Sequence, residues 1–147
     1  FLTLTKGTGL LNHMFDEYGP HRGSLPNRKR GAMVVKEGGD VTAYALDALD
    51  DRGIFFIKPT EKVYAGQVAG EQVKDGDMVV QTCRKKHLTN MRASGSEKGM
   101  LLTPPRELTI ETAIEWINDD ELVEVTPDGI RVRKRVLDHN KRKPAEG

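Results

Sequence analysis

The chain has 147 residues, of which 37% are hydrophobic and 31% charged, and its formal net charge is +1. This length and apolar content fit one domain with a modest core, or one domain plus a remnant of another. The single cysteine excludes an internal disulfide framework and favours a reducing compartment, and the net charge excludes a uniformly basic surface. No apolar run approaches the ~20 residues that span a bilayer, so we expect no membrane contact.

The first residues predict a short amphipathic element followed by a connector. Leu10, Leu11, Met14, Phe15 and Tyr18 recur at helical spacing, which predicts a helix face. Gly-Pro at positions 19–20 ends that element. The stretch 21–30 contains Gly, Pro and four basic residues, so it reads as a connector and the candidate domain boundary.

From residue 31 onward the pattern becomes β-like. Short β-branched or aromatic runs bounded by Gly, Pro and Asp predict strands. Two glycines inside the third run indicate strands with bends rather than a helix. The segment 41–49 fits either a strand or a helix. The predicted strands are Ala32–Val35, Ile54–Ile57, Val63–Val73 and Met78–Gln81.

Residues 83–105 show no sustained period and predict a long loop, of a kind that is usually functional or disordered. Between positions 84 and 98 there are five Lys or Arg and one acid. Lys and Arg on phosphates release condensed counterions, and short hydroxyl and amide side chains can donate to phosphate or 2′-OH groups. The loop therefore predicts an RNA contact. Its candidate residues are Arg84, Lys85, Lys86, His87, Thr89, Asn90, Arg92, Ser94 and Lys98.

The main helix is predicted at about 109–118. Ile110, Ala113, Ile114 and Ile117 form one helical stripe, with Thr109 before them as a plausible N-cap. The only tryptophan falls on the flank of that stripe, where its ring can cover the core edge while its N–H finds a partner.

A C-terminal hairpin is predicted around Pro127-Asp128-Gly129, because Pro presets φ and Gly supplies a positive φ. In its second strand Ile130, Val132 and Val136 are predicted on one face, and three arginines on the other. Positions 131–143 hold seven Lys or Arg and one acid. The further RNA-contact candidates are therefore Arg131, Arg133, Lys134 and Arg135.

The segment 107–124 has seven acids and no Lys or Arg, so it would face away from RNA or toward a basic protein. Three of these acids, at 119–121, form a predicted turn at the negative end of the helix dipole, where they are locally unfavourable.

Catalytic signatures are weak. The chain has no Gly-x-x-x-x-Gly-Lys-[Ser/Thr] loop and no Gly-x-Ser-x-Gly elbow. Cys83 and His87 could form a thiolate–imidazole pair, but an incidental thiol is the better interpretation. Asp50-Asp51 could hold a divalent ion, although a charged turn fits the following Arg-Gly better. We predict no catalytic residue, no cofactor and no metal site in this chain.

Several long motifs resemble the C-terminal region of the TypA/BipA family of translational GTPases. They run nearly from end to end: Leu4-Thr5-Lys6-Gly7-Thr8-Gly9, Tyr44-Ala45-Leu46, Leu49-Asp50-Asp51-Arg52-Gly53, Val63-Tyr64-Ala65-Gly66, Leu88-Thr89-Asn90-Met91-Arg92-Ala93-Ser94-Gly95, Leu102-Thr103-Pro104-Pro105 and Asp119-Asp120-Glu121-Leu122-Val123-Glu124-Val125-Thr126-Pro127.

That resemblance implies a domain organisation. Residues 1–25 would be the C-terminal remnant of an elongation factor G-like α/β domain plus connector, cut from a longer protein, and 26–147 the family-specific C-terminal domain. By the same comparison 10–18 would be a closing strand. The expected fold is α+β and β-dominated, with short antiparallel and mixed strands in a compact barrel-like sheet.

The resemblance also implies a non-catalytic function in the cytoplasm. The chain would be a monomer that binds the ribosome, with the loop at about 83–98 reaching ribosomal RNA and the acceptor end of the A-site tRNA. GTP and Mg²⁺ would belong to the full-length GTPase. Two alternatives remain open: a protein-interaction module that uses the acidic segment 107–124, and a thiol enzyme centred on Cys83.

Overall fold

The structure is a computed structural model, and it describes residues 5, 8–21, 28–85 and 102–142. Within them are eight strands, two α-helices and two short 3-10 turns, at Asp50–Arg52 and His139–Lys141. The elements are β1 Ala32–Val35, β2 Gly39–Asp40, α1 Ala43–Asp47, β3 Gly53–Phe55, β4 Lys62–Val63, β5 Val68–Gln72, β6 Met78–Val80, α2 Ile110–Trp116, β7 Glu121–Thr126 and β8 Gly129–Lys134.

The central layer is a four-stranded mixed sheet in the order β3-β5-β1-β6. Strand β1 lies antiparallel to β5 and parallel to β6. All four residues of β1 are buried, because the sheet is covered on both faces. This explains why Ala32–Val35 is a continuous apolar run rather than an alternating one.

Two hydrophobic clusters lie on opposite faces of this sheet, since successive side chains of a strand point to opposite sides. Met33 and Val35 join a cluster with Leu46 of α1, and Leu102 packs against it. Val34 joins the other cluster with Val132 of β8.

The second face is covered by α2 and the β7–β8 hairpin. The hairpin is antiparallel, with Glu121 opposite Lys134 and Val123 opposite Val132. Its open edge is joined to the body by a bridge between Gln67 and Arg133. The domain is thus three layers, with α1 and the loop ends on one side of the sheet and α2 with the hairpin on the other.

The β-dominated α+β class is confirmed, with one correction to the geometry. The predicted hairpin and most predicted strands are present with bounds shifted by at most two residues, and 43–47 is helical. The predicted run Val63–Val73 is divided between β4 and β5. The described residues form three open sheets, of four, two and two strands, rather than a closed barrel.

The segment at 10–18 is neither the helix that its spacing predicts nor the strand that the resemblance implies. Residues 8–21 have no helix or strand. Leu10, Met14 and Tyr18 are each more than nine-tenths exposed. An amphipathic segment of this length needs a packing partner to fold, and no other described residue buries its apolar side chains.

Helix α2 packs on the sheet through a different face from the one that its apolar spacing predicts. Ala113 is fully buried, whereas Ile110 and Ile114 are 42% and 59% exposed. The helix is turned toward Trp116, whose ring packs edge-on against Phe56 with centroids 5.1 Å apart. Thr109 caps the helix as predicted, accepting a hydrogen bond from the Thr112 amide.

The second strand of the hairpin also differs from the prediction. It ends at Lys134, so Val136 lies outside it and is 43% exposed. The core-facing positions are Ile130, Val132 and Lys134, because alternation brings every second residue to the same face.

A substitution at Gly70 tests the packing of the central sheet, because Gly70 lies in β5 between β1 and β3. A Cβ at this position would lie 2.3 Å from the Ile54 carbonyl oxygen and 2.9 Å from the Phe55 Cα. We expect Gly70→Ala to lower the free energy of unfolding by about 2 kcal/mol or more. Urea unfolding followed by tryptophan fluorescence measures this change.

The matched control is Gly19→Ala, where an added Cβ meets no atom within 4 Å. It should change stability by less than about 0.5 kcal/mol. Equal stability of the two variants would show that the strands are not as closely packed as described.

Candidate nucleic-acid interface

The outgoing end of the predicted RNA-binding loop is fixed to α1. Thr42 caps α1 by accepting from the Ala45 amide at 3.2 Å. Its hydroxyl donates to the Arg84 carbonyl at 2.6 Å, and its amide donates to the Thr82 carbonyl at 3.0 Å. The side chains of Arg84 and Lys85 are left exposed at this end.

The returning end of the loop is fixed beside the same helix. The Thr103 hydroxyl donates to Asp50 at 2.9 Å, and Leu102 packs on the first hydrophobic cluster. Asp50 therefore anchors the returning end of the loop through one of its carboxylate oxygens. Both loop ends lie on one face of the sheet.

The remaining loop candidates lie outside the described residues. These are Lys86, His87, Thr89, Asn90, Arg92, Ser94 and Lys98. Cys83 is half-buried, and a Cβ on Gly39 would lie 3.1 Å from its sulfur. Its predicted partner His87 is among the residues not described.

The outer face of the hairpin presents fewer free cations than the predicted row of arginines. Arg133 Nε lies 2.6 Å from Glu124 Oε1, and Tyr64 donates a hydrogen bond to the other oxygen of that carboxylate. Burial and this contact raise the pKa of the Tyr64 hydroxyl well above its ordinary value. Within the described ranges Arg131 forms no ion pair, so it is the available guanidinium on this face.

Lys134 is corrected from a surface cation to a buried one. It is 1% exposed and points to the core side of β8. Its Nζ lies 2.7 Å from Asp120 Oδ2 and 2.8 Å from Glu121 Oε1, and it also contacts Asp77. Burial alone would lower the pKa of Lys134, but the hydrogen bonds that its ammonium donates to these three carboxylates outweigh burial and raise that pKa. Lys134 is therefore not available to a phosphate.

Arg28 completes this buried group, and no sequence signal singled it out. It donates to both oxygens of Glu121 at 2.9 Å. Its guanidinium carbon lies 3.7 Å from the centroid of the Trp116 ring, a cation–π contact. We call Arg28, Asp77, Asp120, Glu121 and Lys134 the buried ionic cluster, after its three buried members Arg28, Glu121 and Lys134; the Asp120 side chain is 62% exposed at its edge.

The cluster explains the unfavourable acids at the end of α2. Asp120 and Glu121 neutralise Lys134 and Arg28, and the Asp119 carbonyl accepts from Arg135 at 3.2 Å. The acidic stretch 107–124 is therefore in large part the counter-charge of this protein's own cations. Arg135 itself remains exposed.

Glu71 forms a second polar group beside α2. It accepts from Arg106 at 2.8 Å and from the Trp116 indole N–H at 3.1 Å, the partner that the sequence predicted for Trp116. Arg30 lies 3.3 Å from its other oxygen. Burial would raise the pKa of Glu71, but these donors outweigh it and hold that pKa below the ordinary 4.5.

The described part of the chain contains neither a candidate metal site nor a membrane-spanning helix. No group of three or more His, Cys, Asp or Glu there could hold a metal ion. No described helix has the length and apolar content to cross a membrane.

A scan against protein-family models matches the TypA/BipA C-terminal domain over residues 30–139. Curated relatives called large ribosomal subunit assembly factor BipA match almost the whole chain. The Bacillus subtilis (strain 168) relative is 39% identical over 146 residues, which are 99% of this chain and 24% of the relative. The Escherichia coli (strain K12) relative is 44% identical over the same share of each chain. The Synechocystis relative is 43% identical over 91% of this chain and 22% of its own length. The chain thus spans about a quarter of these relatives.

Glu71 gives a stability change with a predictable sign. Its pKa is lowered on folding, so it stabilises the protein above its ordinary pKa of 4.5 and loses that contribution as pH falls below 4.5. The urea concentration at the unfolding midpoint should fall as the pH is lowered from about 6 to about 3, and we expect this fall to be smaller in Glu71→Gln than in wild type. Glu107→Gln, at an exposed pair with Lys58, is the control and should leave the slope unchanged. Parallel curves for wild type and Glu71→Gln would contradict the assignment.

Proposed function

The chain belongs to the TypA/BipA C-terminal domain family, and on that premise we propose that it is a non-catalytic ribosome-binding module. The observation that carries the proposal is the basic loop whose two ends are both fixed beside α1. The loop therefore leaves and re-enters the domain on one face, next to the exposed Arg84 and Lys85. This combination suits binding to RNA by its backbone.

The large ribosomal subunit is the proposed partner, because the curated relatives carry the name large ribosomal subunit assembly factor. Within the ribosome we propose ribosomal RNA and the acceptor end of the A-site tRNA as the contacts of the loop. A ribosomal partner places this function in the cytoplasm. GTP and Mg²⁺ would be bound by other parts of the longer parent protein, as the family resemblance implies.

The affinity would come mainly from phosphates. The loop from 84 to 98 carries five Lys or Arg and one acid. Each phosphate that such a side chain neutralises releases counterions, so binding should weaken steeply with salt. Aromatic residues are 5% of the chain and none lies between 83 and 105, which supports backbone contacts over base stacking.

The hairpin would supply a separate contact. Its available cations are the half-buried Arg131 and, just past β8, the exposed Arg135. The hairpin lies on the opposite face of the central sheet from the loop ends. The loop and the hairpin therefore would not form one continuous basic surface but would meet different segments of RNA.

A second candidate function is protein binding through α2, favoured by the exposure of Ile110 and Ile114. The internal pairing of Asp120, Glu121 and Glu124 weakens it, because these acids are not free to meet a basic partner. Such binding would survive high salt and be lost on Ile114→Ser.

The proposal is tested by ribosome co-sedimentation across a salt series. Reversing the charge of Lys85, Lys86 and Arg92 together should lower binding by at least about tenfold and make its salt dependence shallower. Reversing Arg52, Lys58 and Lys74, which are equally cationic and lie outside the loop, should change binding by less than about threefold.

The far-ultraviolet circular dichroism of both triple variants should match wild type. If the loop variant binds large subunits with the wild-type salt slope, the loop is not the ribosome contact. Loss of binding on Ile114→Ser with no salt dependence would favour the protein-binding alternative instead.

A further inference from the structure

Two adjoining clefts open beside the buried ionic cluster, on the side where the chain leaves the hairpin. One is about 540 Å³ and the other about 590 Å³, and they share Asp120, Lys134 and Arg142 in their linings. We call them together the C-terminal cleft. Its walls carry cations from distant parts of the sequence, namely Lys29, Arg30, Arg135, His139, Lys141 and Arg142.

The floor of the cleft carries one net negative charge. Lys134 and Arg28 face three carboxylates there, those of Asp77, Asp120 and the underlying Glu121. The floor thus takes up most of the negative charge on this side of the domain. Among the described wall residues, Asp119 is the only acid facing five Lys or Arg.

The wall cations are held to different degrees. Arg142 donates to the carbonyls of Val136 and Leu137 at 2.8 Å each, so its guanidinium is fixed in place. Lys29 is exposed and forms no ion pair with another described residue. Lys141 lies 3.7 Å from Asp138 in a mostly exposed pair, a kind that contributes little and exchanges easily.

The lining chemistry indicates which polyanion fits. No Phe, Tyr or Trp is among the described lining residues, so the cleft has no platform for stacking a base. The two clefts run on from each other and are together larger than one phosphate needs. Several cations around two adjoining clefts suit more than one phosphate of a nucleic-acid strand.

We propose that the C-terminal cleft is a second RNA-backbone contact, with Lys29, Lys141 and Arg142 as its principal phosphate-binding residues. It rests on the proposed function, since it takes RNA as the partner. It adds residues from the connector and the C-terminal turn that lie on the opposite side of the sheet from the basic loop. RNA held at both places would fix the orientation of the domain, which a single contact would not.

The experiment measures binding of the chain to a fluorescent RNA duplex of about 20 base pairs between about 50 and about 300 mM salt. Lys29→Glu with Lys141→Glu should weaken binding by about tenfold and make its salt dependence shallower. The neutral pair Lys29→Gln with Lys141→Gln should give a smaller loss in the same direction. Arg52→Glu with Lys58→Glu is the matched control and should weaken binding by less than about threefold.

A second readout does not depend on substitutions. Acetylation of wild-type lysines by a water-soluble reagent should be slowed at Lys29 and Lys141 when RNA is present, and unchanged at Lys58. If both cleft variants bind like the control pair, or neither cleft lysine is protected, the cleft is not an RNA contact. The charge reversal of Lys85, Lys86 and Arg92 distinguishes the two proposals. If it abolishes ribosome binding while the cleft variants have no effect, the proposed function stands and the proposal of a second RNA contact is overturned. Binding of an acidic peptide but no RNA at the cleft would overturn it as well.

Discussion

The burial of Lys134 among three carboxylates is the constraint on which the rest of the domain depends. The Lys134 ammonium joins β8 to Asp77 in the turn before β6, and to Asp120 and Glu121 at the start of β7. Arg28 joins the connector to the same group through Glu121. Taking such charges out of water is costly, and the geometry repays it only when every partner is present. The cluster therefore fixes where the connector enters, where the hairpin sits and how α2 is turned.

This constraint also decides which cations can meet a partner. Lys134 and Arg28 are buried in ion pairs, and Arg133 is paired with Glu124. The exposed cations that remain fall into separate groups, at the loop beside α1, on the outer hairpin face, and around the C-terminal cleft. A near-neutral chain thus keeps local basic surfaces because several of its acids are paired with its own cations. An RNA partner would meet the domain at more than one of these surfaces.

The sequence predicted the elements better than their orientation. Apolar runs, turn residues and the Thr109 cap located most strands, α2 and the hairpin, because these signals are local. The side of α2 that packs on the sheet could not be predicted from the spacing of its apolar residues. Trp116 sets this orientation through contacts with Arg28, Phe56 and Glu71, which are distant in sequence. The burial of Lys134 was missed for a different reason. Strict alternation from Val132 places Lys134 on the core face, but a buried lysine needs nearby carboxylates, and the sequence alone does not show that three of them lie beside it. The loop prediction from 86 onward stays a prediction.

A double-mutant cycle on Lys134 and Glu121 tests this account most directly. The free energy of unfolding would be measured for wild type, Lys134→Met, Glu121→Gln and the double variant. We expect each single change to cost about 3 kcal/mol, because it leaves a buried partner charge with one compensating contact fewer. The double variant should cost at least about 1 kcal/mol less than the sum of the two single changes. Small, additive losses would mean that the buried ionic cluster does not hold the domain together.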